Sequence, residues 1–140
     1  MRPWNETNDD LDAESEVANI LSEHSGESDG WFKLPISYHF DICFTNNERA
    51  TSFVEIKCRN VPSDRYDTVY ISLIKIMAGL QLQQATGLKA YFVWQWSDNV
   101  ITIQNVREPD FVEINGNTRG QNGDIEPVGH YDISKMQRIE

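Results

Sequence analysis

Long apolar runs are missing from this sequence. Its most apolar stretch, Leu88–Trp96, is far shorter than the roughly 20 residues a membrane-spanning helix needs. No basic leader with an apolar centre heads the chain; the first ten residues, MRPWNETNDD, are polar and acidic. The expectation is a cytoplasmic protein with no membrane segment. Cysteine is scarce, occurring only at 43 and 58, which excludes a disulfide framework and fits a reducing compartment. There is no internal repeat, glycine-rich phosphate loop, zinc-ligand spacing or nucleophile elbow.

Basic residues are also few. Lys and Arg number 12 against 22 Asp and Glu, for a net charge of −10, which at first sight argues against a nucleic-acid binder. The distribution matters more than the sum. Residues 1–30 hold nine acids and one base, whereas the remainder holds 13 acids and 11 bases. The acidity is mostly one N-terminal segment, so a basic groove can exist elsewhere. At 140 residues the chain suits one domain with one core, here 9–140, after a loose acidic arm over 1–8 that carries Trp4.

The informative stretch is Tyr38–Arg59, YHFDICFTNNERATSFVEIKCR. Ile36–Thr45 and Ala50–Cys58 are rich in β-branched and aromatic residues, with the turn formers Asn46, Asn47 and Glu48 between them. The spacing predicts a hairpin. Period-two alternation puts Phe53, Glu55 and Lys57 on one face and Val54, Ile56 and Cys58 on the other. If Ile42 and Phe44 pack with Val54 and Ile56, Asp41 lies opposite or diagonal to Glu55, in the register of a three- or five-residue turn. Two carboxylates that close repel unless a cation lies between them. Oxygen donors without a His or Cys cluster favour Mg²⁺ or Mn²⁺. The plain alternative is a solvated sheet face with a cross-strand Lys–carboxylate pair.

Flanking elements follow from pattern. Asp9–Ser25 reads as a helix, capped by Asn8 or Asp9 and ended by Gly26, with Leu11, Val17, Ala18, Ile20 and Leu21 on one face. Glu14 falls within that face, where an acid needs a partner or must reach water. Asp64–Thr86 reads as the longest helix, closed by Gly87. Its broad apolar face runs from Tyr66 through Met77 to Leu80, and its narrow polar stripe is Ser72, Lys75, Gly79 and Gln83. Leu88–Trp96 reads as a buried central strand reached by a right-handed crossover, with Trp94 and Trp96 in the core, and Val100–Asn105 as the next strand. Phe111–Ile114 is a short strand, Asn115–Asp124 a loop bearing Arg119, and His130–Met136 a closing strand or turn.

At Asp41 and Phe53-Val-Glu55-Ile-Lys57-Cys-Arg59 the sequence resembles the PD-(D/E)xK nuclease superfamily, although Phe40 stands where a proline often precedes the Asp. The resemblance covers roughly residues 9–105. It implies an α/β fold with a restriction-endonuclease-like core, a central mixed sheet flanked by helices in αβββαβ order. It implies metal-dependent hydrolysis of DNA, with Asp41, Glu55 and Lys57 as the catalytic set. Mg²⁺ or Mn²⁺ would be held by Asp41, Glu55, the Ile56 backbone carbonyl and, from the first helix, Glu14. Ser72, Lys75 and Arg59 would meet DNA phosphates, with a solvated Lys75 as the alternative. His39 shares the face of Asp41 but stands outside the set. So short a chain has little room for a sequence-reading domain. The reading is a structure-specific or weakly selective endonuclease, as a monomer or a homodimer, in the host cytoplasm if it is a phage protein. The alternative is a non-catalytic DNA-binding module or a subunit of a larger complex.

Overall fold

The computed structural model describes residues 8–26, 28–115 and 125–140. The expectations for the arm with Trp4 and the loop with Arg119 lie outside them. Helix α1 spans Asn8–Ser25 and stops at Gly26, whose φ of 65° is left-handed. Strands β1 (Gly30–Lys33), β2 (Ile42–Asn46) and β3 (Arg49–Cys58) follow as an antiparallel meander. After β4 (Thr68–Ser72) and helix α2 (Leu73–Thr86), β5 (Lys89–Gln95) returns parallel to β3. Strand β6 (Ile101–Asn105), β7 (Phe111–Asn115), β8 (Glu126–Asp132) and β9 (Gln137–Ile139) complete the chain. The main sheet runs β1-β2-β3-β5-β6-β9, and a second sheet runs β4-β8-β7. The main sheet with its two helices has the mixed αβββαβ order of a restriction-endonuclease-like core. Among the described residues, no helix is long and apolar enough to cross a membrane.

Each face of the main sheet has its own core. Val17, Ala18 and Leu21 of α1 pack on Ile42, Phe44, Val54, Ile56 and Val93. The other face packs Phe40, Phe53, Phe92, Trp94 and Trp96 with Ile76 of α2 and Val69, Ile71 and Tyr131 of the second sheet. Trp94 and Trp96 are core residues, as their spacing implied. Cys43 is buried and Cys58 exposed, both as free thiols.

The hairpin reaches its register by a route other than the expected turn. Asn47 and Glu48, at φ 53° and 66°, form a two-residue turn of the kind that matches strand twist. That turn alone would set Asp41 opposite Val54, on the wrong face. The register instead shifts between Phe44 and Thr45: Thr45 pairs with Ala50, but Phe44 pairs with Ser52. The extra residue, Thr51, is a bulge, and it returns Ile42 to Val54. The first hairpin strand is also shorter than expected. It begins at Ile42, and Leu34–Asp41 is a loop preceded by the separate strand β1.

The long helix over Asp64–Thr86 is not observed. Thr68–Ser72 is a strand, because Thr68, Val69, Tyr70 and Ile71 favour the extended state and β8 supplies their ladder partners. The helix proper also turns a different face inward. Lys75, Ile76 and Gly79 are buried, whereas Ile74 and Met77 are 61% and 59% exposed. Gly79 explains the choice: a Cβ there would lie 2.9 Å from both Phe40 Cζ and Val106 Cγ1. Gly79→Ala should therefore destabilise the fold. The helix-propensity gain of about 0.5–1 kcal/mol is outweighed by overpacking of roughly 1–3 kcal/mol. Urea unfolding checks this, and a variant as stable as the parent would contradict the packing described.

Candidate active site

The bulge places Asp41 across from Glu55. The Asp41 N–H donates to the Val54 carbonyl at 3.1 Å, and the Ile56 N–H donates to Asp41 Oδ2 at 3.0 Å. Both carboxylates face α2 and are all but sealed from solvent, at 2% and 1% exposure. Burying two acids side by side is unfavourable without compensating cations. Lysines supply them. Lys75, from the first turn of α2, donates to Glu55 Oε2, and Lys57 Nζ lies 3.3 Å from the same oxygen. Lys33 Nζ, from β1, lies 3.7 Å from Asp41 Oδ1 and donates to Glu14 Oε2 at 2.5 Å.

Compensation is incomplete at Glu55. Its Oε1 is buried and accepts no hydrogen bond from any described group. Burial, and then the Asp41 charge, push its pKa up to about 7, against the opposing pull of Lys57 and Lys75. Glu55 is thus balanced between its neutral and ionised forms near neutral pH.

The other residues singled out from sequence fall at different distances from this pair. Lys57 keeps 29% of its side chain exposed, so its ammonium bridges Glu55 and open solvent. Lys75 is 7% exposed and points into the cluster, which removes the solvated-lysine alternative. Ile56 lies between the two acids, with its N–H on Asp41. Glu14 is one lysine removed from Asp41, its carboxylate held by Lys33. Ser72 ends β4 opposite Val128, three residues before Lys75. Arg59 follows β3, and its N–H donates to the Gln95 carbonyl at 2.8 Å. His39 is partly buried, and its pKa is lowered chiefly by burial, with positive charge, that of Lys75 included, adding to the shift.

Sequence reasoning missed Lys33. It read Trp31–Pro35 as a lead-in to the hairpin, and the signal was a lysine in an otherwise apolar WFKLP segment. Among the described residues, no three His, Cys, Asp or Glu side chains gather around one point. What the cluster offers a cation is a carboxylate pair of hard oxygens, one of them an orphaned buried acceptor. That donor set fits Mg²⁺ or Mn²⁺ better than zinc. A hollow of about 640 Å³ opens on the α1 side of the sheet, lined by Leu21, Phe44 and Tyr91, and it includes neither acid.

An Asp immediately before one strand and a Glu-x-Lys on the next, in a mixed sheet with a helix on each face, is the PD-(D/E)xK arrangement. The chain belongs to the family described as "Phage putative PDDEXK endonuclease", whose profile matches residues 1–139. Among solved structures, the chain is similar to Hjc of Archaeoglobus fulgidus, a Holliday junction resolvase from an archaeal hyperthermophile. The TM-score is 0.57 at 13% identity, over 91% of this chain and 92% of that one. At that identity the likeness concerns the fold. No curated protein matches the sequence.

The electrostatics make a prediction for the metal-free protein. The folded pKa of Glu55 lies above its ordinary 4.5, so its contribution to stability is full below 4.5 and is lost as pH rises through about 7. Glu55→Gln abolishes this loss. Thermal melts in EDTA should show the variant gaining on the parent as pH rises through that window, whatever their offset at low pH. Parallel curves would contradict a raised Glu55 pKa.

Proposed function

We propose that the protein is a metal-dependent DNA endonuclease, structure-specific or weakly sequence-selective, with Asp41, Glu55 and Lys57 as its catalytic residues. The observation that carries this reading is the buried Asp41–Glu55 pair, with an unpartnered Glu55 Oε1 and a half-open lysine on the same carboxylate. Asp41 and Glu55 would hold Mg²⁺ or Mn²⁺. The Ile56 carbonyl would join them, since an extended strand aims it to the same side as the N–H bonded to Asp41. When bound, such an ion supplies charge neutralisation and a more acidic water.

The chain's own residues do the rest. Lys57 orients the attacking water and stabilises charge building on the phosphate. Lys75 keeps Glu55 from standing uncompensated and presents positive charge at the start of α2. Lys33 does the same for Asp41 and ties Glu14 to the site as an outer acid. Ser72 and Arg59 flank the cluster and meet the neighbouring phosphates. With a net charge of −10, affinity for DNA should be modest and strongly salt-dependent.

Cleavage of duplex, single-stranded, flap and four-way-junction DNA at low salt tests the proposal, with Mg²⁺, Mn²⁺ or EDTA. Cutting should require the metal, vanish in Glu55→Ala, and fall by about a hundredfold or more in Lys57→Ala. DNA binding without cutting under every condition would instead favour a non-catalytic module or a subunit of a larger complex.

A further inference from the structure

A groove lies between α2 and the loop that precedes Asp41. Ser37, Tyr38 and His39 form one wall, and Ala78, Gln81 and Ala85 of α2 form the other, around about 310 Å³. His39, in the groove's wall, lies two residues before Asp41. Ala78 is about one helical turn beyond Lys75.

We propose that this groove seats one unpaired nucleotide next to the scissile phosphate, so that the substrate is DNA with a single-stranded segment at a branch or an end. The inference rests on the nuclease reading above. Four observations carry it. The volume lies at the lower end of small-ligand sites, suited to one base, and an uninterrupted duplex offers no free base to insert. Tyr38 is 49% exposed, so its ring is available for stacking, which tolerates any base. Gln81 is exposed on α2, where its amide can donate to or accept from a base edge. Finally, the chain has 22 acids, yet the groove lining includes none. A phosphate-bearing strand meets no repulsion there. On the α2 wall Ala78 and Ala85 are small, and Leu82 adds apolar surface between them.

The test is affinity for two fluorescein-labelled DNA hairpins in EDTA at low salt, one blunt and one with a short unpaired tail. The parent should bind the tailed hairpin more tightly. Tyr38→Ala and Gln81→Glu should each lose about tenfold on the tailed hairpin and little on the blunt one. Ala78→Met, which fills the groove, should do the same. Tyr38 and Gln81 are exposed, so melting temperatures should not move. Glu55→Ala should keep the tail preference while losing cleavage, which separates this inference from the catalytic one. Equal affinity of the parent for the two hairpins, or equal losses on both, overturns the proposal. So does self-association in sedimentation that Tyr38→Ala abolishes, which would assign the groove to a second copy of the chain. Metal-dependent cutting that persists in Glu55→Ala would overturn the catalytic assignment and leave the measured tail preference standing.

Discussion

The structure depends on a register. Asp41 faces Glu55 because one extra residue, Thr51, corrects a two-residue turn that would otherwise send Asp41 to the opposite face. The same shift aligns Ile42 with Val54 and lets Phe44 and Ile56 join the α1 core. Burial of the acids and packing of the sheet are therefore one constraint. Shifting the strand by a residue would put a carboxylate into the α1 core and an isoleucine toward α2.

Burying Asp41, at the entry to β2, beside Glu55 of β3 shapes what surrounds them. Three of the chain's five lysines, Lys33, Lys57 and Lys75, contact Asp41 or Glu55. Lys33, Lys57 and Lys75 thus offset the three acids gathered here, Asp41, Glu55 and Glu14. The lysines come from β1, β3 and α2, so the main elements converge on the pair. Gly79 lets α2 sit close enough for Lys75 to reach Glu55, because a larger residue would meet Phe40 and Val106. Even so, one Glu55 oxygen has no partner among the described residues, and that unmet demand is what a divalent ion would satisfy.

Much of this was legible from local pattern. Period-two alternation put Glu55 and Lys57 on one face, and packing Ile42 and Phe44 with Val54 and Ile56 brought Asp41 to it. The 3.6-residue period located α1, and the apolar run bounded by Gly87 located β5. What failed was whatever depends on distant partners. Thr68–Ser72 extends because β8 lies beside it, some 60 residues further along the chain. The inward face of α2 is set by Phe40 and Val106, not by its own hydrophobic content, so Ile74 and Met77 face out and Lys75 faces in. Lys33 escaped notice because its partners, Glu14 and Asp41, lie on elements that only the folded sheet brings together. The bulge was invisible for a simpler reason: turn residues constrain parity, and an insertion two residues away restores it.

The central claim is that the Asp41–Glu55 pair receives a divalent ion. Mn²⁺ binding followed by electron paramagnetic resonance tests it without reference to activity. The account predicts one Mn²⁺ per chain, displaced by Mg²⁺ and lost in both Asp41→Asn and Glu55→Gln. Binding that persists unchanged in both variants, or that is absent in the folded parent, would contradict it.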